Sequence, residues 1–134
     1  MKEETLKRIF NFLEEKEEHR PPFLWKYKND IPLTEGDLNV KGDLDLSNTG
    51  VETLPEGLQV SGWLDLAYTF IEYLPEGLKV GGHLDLIETD IKFLPKGLEV
   101  GRNLYIDDSP LIKYSAEELR EMIKPGFIKG EIYR

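Results

Sequence analysis

Residues 57–76 (GLQVSGWLDLAYTFIEYLPE) and 77–96 (GLKVGGHLDLIETDIKFLPK) align end to end without a gap, which gives the chain a 20-residue period. The period extends back to residues 37–56 (DLNVKGDLDLSNTGVETLPE) and forward to a fading copy at 97–114 (GLEVGRNLYIDDSPLIKY), making nearly four coils. A unit this short cannot bury its apolar side alone. It becomes stable by stacking on its neighbours, so the repeat predicts a solenoid with one continuous core.

Six apolar columns run through the copies: Leu38/Leu58/Leu78/Leu98, Val40/Val60/Val80/Val100, Leu44/Leu64/Leu84/Leu104, Leu46/Leu66/Leu86/Ile106, Val51/Ile71/Ile91/Leu111 and Leu54/Leu74/Leu94/Tyr114. Alternation such as Leu64-Asp65-Leu66 is the period of a strand with one face buried, and stacked copies of it form a parallel sheet. Leu-Pro-Glu-Gly at 54–57 and 74–77 and Leu-Pro-Lys-Gly at 94–97 mark a corner, with Pro opening it and Gly closing it at positive φ. Gly42, Gly62 and Gly82 precede each LDL strand and predict a bend or a close approach of backbones. Arg102 breaks that series, which predicts a distorted last coil. Thr49, Thr69, Thr89 and Ser109 form a hydroxyl column where the chain leaves the sheet, expected to satisfy amides that lose their ladder partners.

These motifs resemble the leucine-rich repeat family, in particular the short 20-residue LPxxL-type repeats of bacterial and phage proteins. The resemblance covers 78 of 134 residues. Leu64, Leu66 and Thr69 occupy the fourth, sixth and ninth places of the LxxLxLxxN core, Ser61, Gly81 and Gly101 stand where its first leucine is usual, and Thr replaces the customary Asn. The fold expected is an α/β solenoid, a right-handed leucine-rich-repeat-like coil with a parallel sheet and helical caps at both ends. The extra Leu58/Val60 element leaves a parallel β-helix with three strands per turn as the alternative. The resemblance implies a curved solenoid whose strand face binds another macromolecule. Some bacterial members add a ubiquitin-ligase domain with a cysteine nucleophile, and this chain contains no cysteine.

A single domain over 1–134 is expected, divided into a cap and lead-in (1–36), the repeats (37–114) and a C-terminal helix with an edge strand (115–134). Residues 3–18 lack Gly and Pro and place Leu6, Ile9, Phe10 and Leu13 at helical spacing, with Trp25 read as core beneath that cap. Ser115-Ala116-Glu117-Glu118 is a capping-box pattern that starts a second helix, stopped at Pro125-Gly126. The tail FIKGEIYR (127–134) alternates as an edge strand that either pairs within the chain or recruits a second copy as a homodimer.

The net charge of −9 is concentrated in the repeats: residues 37–114 carry 6 basic and 14 acidic side chains, against 7 and 8 in 1–36 and 4 and 4 in 115–134. Such a field opposes direct binding to nucleic acid and favours a protein partner with a basic or mixed surface. No apolar run reaches membrane-span length and the N-terminus opens acidic, so no membrane association and a cytoplasmic location are expected. No phosphate loop, dinucleotide fingerprint or zinc motif occurs, and neither a cofactor nor a metal is expected.

Function is therefore expected on the strand face, where the outward rows read Asp43-Asp45-Ser47, Trp63-Asp65-Ala67, His83-Asp85-Ile87 and Asn103-Tyr105-Asp107. Trp63, Ile87 and Tyr105 read as exposed apolar anchors among the carboxylates Asp45, Asp65 and Asp85, with His83 beside them. A ladder of like charges on neighbouring strands repels, so a basic partner, a cation or outward splay must relieve it. The function expected is a non-catalytic protein-binding module, adaptor or inhibitor. One alternative is an acidic, polyanion-mimicking inhibitor of a nucleic-acid-binding protein, as in phage anti-defence. A remoter one is a carbohydrate-active enzyme using Asp pairs spaced at roughly the 5 Å of retaining glycosidases.

Overall fold

The computed structural model describes residues 32–134. The expected N-terminal helix with Leu6, Ile9, Phe10 and Leu13, and the core reading of Trp25, fall outside these residues. Each repeat folds into two very short strands joined by a bend. The first turn carries β1 (Asn39–Val40) and β2 (Leu44–Asp45), and the next turns carry β3 (Gln59–Val60) and β4 (Leu64–Asp65), β5 (Lys79–Val80) and β6 (Leu84–Asp85), and β7 (Glu99–Val100) and β8 (Leu104–Tyr105). The tail supplies β9 (Phe127–Ile128) and β10 (Ile132–Tyr133).

These strands stack into two parallel ladders, sheet A in the order β1-β3-β5-β7-β9 and sheet B in the order β10-β8-β6-β4-β2. Like positions lie over one another, as in Val40↔Val60, Leu64↔Leu84 and Asp65↔Asp85. The architecture is a β-solenoid with two strands per turn among the described residues, not the three of the alternative reading. Helix is sparse: α1 (Glu35–Leu38) is a single turn closed by a Thr34/Asp37 capping box, and α2 (Ala116–Met122) spans seven residues.

All six columns face the interior. Leu44, Leu46, Leu64, Leu66, Leu84, Leu86, Leu104 and Ile106 are fully shielded, with Ile71, Ile91 and Leu111 behind them. Each such side chain contributes roughly 1.5–3 kcal/mol of burial. Leu38 and Tyr114, at the two ends of their columns, are only half-buried. The corners behave as the Pro-Gly pattern requires, with Gly57, Gly77 and Gly97 at φ of 84°, 74° and 79°.

The hydroxyl column serves carbonyls throughout, and an amide as expected at Ser109, whose Oγ also accepts from Leu111 N–H at 3.3 Å. Thr49, Thr69, Thr89 and Ser109 donate to the carbonyls of Leu46, Leu66, Leu86 and Ile106 at 2.6–2.8 Å, each within its own turn. The reason lies one residue earlier, where Asn48, Tyr68, Glu88 and Asp108 take positive φ of 55–60° and fold the chain back so that the hydroxyl meets the third preceding carbonyl.

The fourth turn is not distorted by Arg102. Its backbone N–H still donates to Gly82 O at 3.2 Å, and β7 and β8 keep the register of the turns before them. What differs is the closure. A 3-10 turn (Pro110–Lys113) leads to α2, opened by a Ser115/Glu118 capping box and burying Leu119, with the adjoining Ile123 buried as well. The chain then re-enters both sheets: Phe127 pairs with Glu99 and Ile132 with Leu104, 28 residues on instead of 20, the additional eight residues accommodating α2. The tail thus pairs within the chain.

Candidate functional site

Sheet B presents two outward columns, Asp43/Trp63/His83/Asn103/Glu131 and Asp45/Asp65/Asp85/Tyr105/Tyr133. The first column stitches turns together. Asp43 Oδ1 accepts from Trp63 N–H at 2.9 Å, His83 Nδ1 from Asn103 N–H at 3.2 Å, and Asn103 Oδ1 from Glu131 N–H at 2.9 Å. The second column ends each strand: Asp45, Asp65 and Asp85 use Oδ1 to accept from the amides of Ser47, Ala67 and Ile87 at 2.9–3.0 Å. Repulsion along the ladder is thus met first by local amides, a compensation the sequence reading did not assign.

Five of the seven anticipated residues, Trp63, Asp65, His83, Asp85 and Tyr105, line one open depression of about 250 Å³ with Leu64 among them. Asp45 and Ile87 lie on the same face outside that lining. Trp63, Ile87 and Tyr105, expected as exposed anchors, are half-buried, as strands about 4.8 Å apart let large side chains lean on the next turn. Tyr105 packs its edge on His83 with centroids 5.8 Å apart and stacks on Tyr133 at 5.1 Å. Tyr133 went unrecognised as part of this face, although Ile132-Tyr133 repeats Leu104-Tyr105 at the new spacing of 28.

Asp65 and Asp85 both hold their protons above the ordinary carboxylate value of 3.8. For Asp65 burial is the chief cause, opposed by the Ala67 amide and reinforced by Asp85 and Asp45; for Asp85 burial again leads, opposed by the Ile87 amide and reinforced by Asp107. The folded chain therefore binds more protons than the unfolded chain in the interval above 3.8. The associated stability is largest at the acidic end and falls as pH rises through the folded-state values. Asn keeps the oxygen that accepts the amide and removes the charge. Asp65→Asn and Asp85→Asn are each expected to add about 0.5 kcal/mol at pH 7, near the middle of the range for like charges placed opposite one another. Thermal melts from pH 4 to 7 should show a flatter profile for the double variant. Variants less stable than the parent at pH 7 would show that the carboxylates are not under repulsion.

The most exposed aromatic side chains lie elsewhere. Phe70 is 69% and Tyr68 57% exposed, and Tyr73 and Phe93, rings 5.3 Å apart, line a second groove of about 510 Å³ with Leu94, Pro95 and Met122. The available signal was an aromatic standing where other copies carry Asn48 or Glu88, Gly50 or Asp90, and Thr53 or Lys113. Among the described residues no group of three or more His, Asp or Glu is placed to hold a metal ion, and no helix is long and apolar enough to cross a membrane. No family model, curated protein or solved structure matches the chain.

Proposed function

We propose that the chain is a non-catalytic protein-binding module, an adaptor or inhibitor, working through sheet B of a leucine-rich-repeat-like right-handed coil with helical end caps. The observation that carries this reading is the open depression lined by Trp63, Asp65, His83, Asp85 and Tyr105. Half-buried aromatic rings held by neighbouring turns lose little freedom on binding, and the carboxylates between them favour a partner with a basic or mixed surface. The depression is shallow and open, which suits a protruding side chain of a macromolecule better than an enclosed reaction.

The test is capture of a partner from lysate with the full chain as bait, comparing the parent with Trp63→Ala/Tyr105→Ala and with Tyr73→Ser/Phe93→Ser on the other groove. Loss of the two anchors, together worth about 2 kcal/mol or more, should weaken capture at least about 30-fold, while the second pair leaves it intact. Capture that survives the first pair and fails with the second would move the binding face to the Tyr73/Phe93 groove.

A further inference from the structure

We propose that the depression on sheet B receives the guanidinium of an arginine on the partner protein, a refinement that rests on the protein-binding reading above. Three observations converge. Trp63, His83 and Tyr105 furnish ring surfaces around a space of about 250 Å³, enough for one side-chain head group and below the usual range for small-molecule pockets. Asp65 and Asp85 stand on paired strands of the same lining, and each carboxylate is oriented by its own amide through Oδ1. Their Oδ2 atoms have no hydrogen-bond donor among the described residues, and the ion pairs described, Lys92–Glu72 and Lys124–Glu121, lie away from them. His83 Nδ1 is taken up by the Asn103 N–H and is not turned to either carboxylate.

The site thus offers two acceptor oxygens about one strand spacing apart beside aromatic faces, with no cation supplied to it among the described residues. A guanidinium fits this chemistry in two ways at once. Its planar fork gives N–H donors to both oxygens, and its face stacks on a ring. A lysine ammonium is a compact, strongly hydrated point charge with no plane to stack, so it satisfies only the first requirement.

The experiment is an NMR titration of the isotopically labelled full chain with N-acetyl-arginine methylamide, and with its lysine and citrulline counterparts as comparison probes. The arginine probe should give saturable shifts of the Trp63 indole N–H and of the Ala67 and Ile87 amides, with Kd of about 1–10 mM for a ligand of this size. Citrulline, neutral but alike in shape, should bind at least about tenfold more weakly and lysine about threefold more weakly, in line with the loss of one charged contact or of stacking. Asp65→Asn/Asp85→Asn should lose about tenfold for arginine while resonances away from sheet B stay in place. Equal shifts from citrulline, parity of lysine with arginine, or no saturable shift at the depression would each overturn the proposal. If one of these occurs while Trp63→Ala/Tyr105→Ala still abolishes partner capture, the face stands and arginine falls. If the arginine probe saturates as expected but capture survives those substitutions, the depression reads guanidinium and the protein partner docks elsewhere.

Discussion

Gly101→Ala is expected to destabilise the solenoid by about 3 kcal/mol or more, visible as a fall in Tm of roughly 10 °C or more. A Cβ at Gly101 would sit 2.2 Å from Gly81 O and 2.9 Å from Gly81 C, both backbone atoms of the turn below. Gly81 stands in the same relation to Ser61, with its carbonyl oxygen also at 2.2 Å. Neither glycine needs a positive φ; the requirement is for space between stacked backbones. Ordinary contact begins near 3.4 Å, so the fourth turn would have to lift off the third by about an ångström. That lift stretches the Gly101 N–H to Val80 O bond of 2.8 Å and its neighbours in both sheets. Gly36→Ala is the control: in α1 its Cβ would meet only Thr34 Oγ1 at 3.6 Å, and stability should change by less than about 1 kcal/mol. An unaltered melt for Gly101→Ala would mean that the turns are not packed at this spacing.

This glycine also shows how the sequence conveys the fold. A column of Gly81 and Gly101 opposite the first leucine of the resembled repeat looks like a missing apolar residue, yet it is a place where the stacked backbones leave no room for a Cβ. The stacking, the six core columns and the Pro-Gly corners were legible because identical positions recur at identical spacing, and burial follows directly from such recurrence. The placement of Trp63, Asp65, His83, Asp85 and Tyr105 together was legible for the same reason, since outward rows of a parallel ladder are set by the register alone. Other features depended on dihedral angles that no periodicity encodes. The positive φ at Asn48, Tyr68, Glu88 and Asp108, four chemically different residues, turns each hydroxyl of the column toward the third preceding carbonyl, with Ser109 also accepting the Leu111 amide. The change of spacing from 20 to 28 hid Tyr133, because α2 interrupts the repeat before the last turn resumes it.

Arg120→Met is expected to cost about 2–4 kcal/mol and to increase self-association with concentration, because Arg120 ends sheet A in place of a further turn. Within the sheet, Phe127, Lys129 and Gly130 N–H donate to the carbonyls of Leu98, Val100 and Arg102. The corresponding carbonyls of the last turn are Ile128 O and Gly130 O, and Arg120 fills both, Nη1 at 2.5 Å and Nη2 at 2.7 Å. One planar group therefore substitutes for two amides of an absent strand, held there by α2 through the burial of Leu119. Methionine keeps much of the apolar stem and removes both donors, leaving two carbonyls of a strand edge open to another chain. Sheet B has the opposite polarity: Leu104 N–H donates to Glu131 O and Ile106 N–H to Tyr133 O, so Ile132 and Arg134 N–H are the groups without an acceptor among the described residues. Any association of the parent through residues 127–134 must then use β10, whereas the variant adds β9. Sedimentation velocity over a concentration series, beside thermal melts, separates these cases. Arg120→Lys should be intermediate in stability, since one ammonium cannot reproduce both bonds in the geometry of the fork. Equal stability and equal sedimentation of the parent and the Met variant would show that Arg120 does not terminate the ladder.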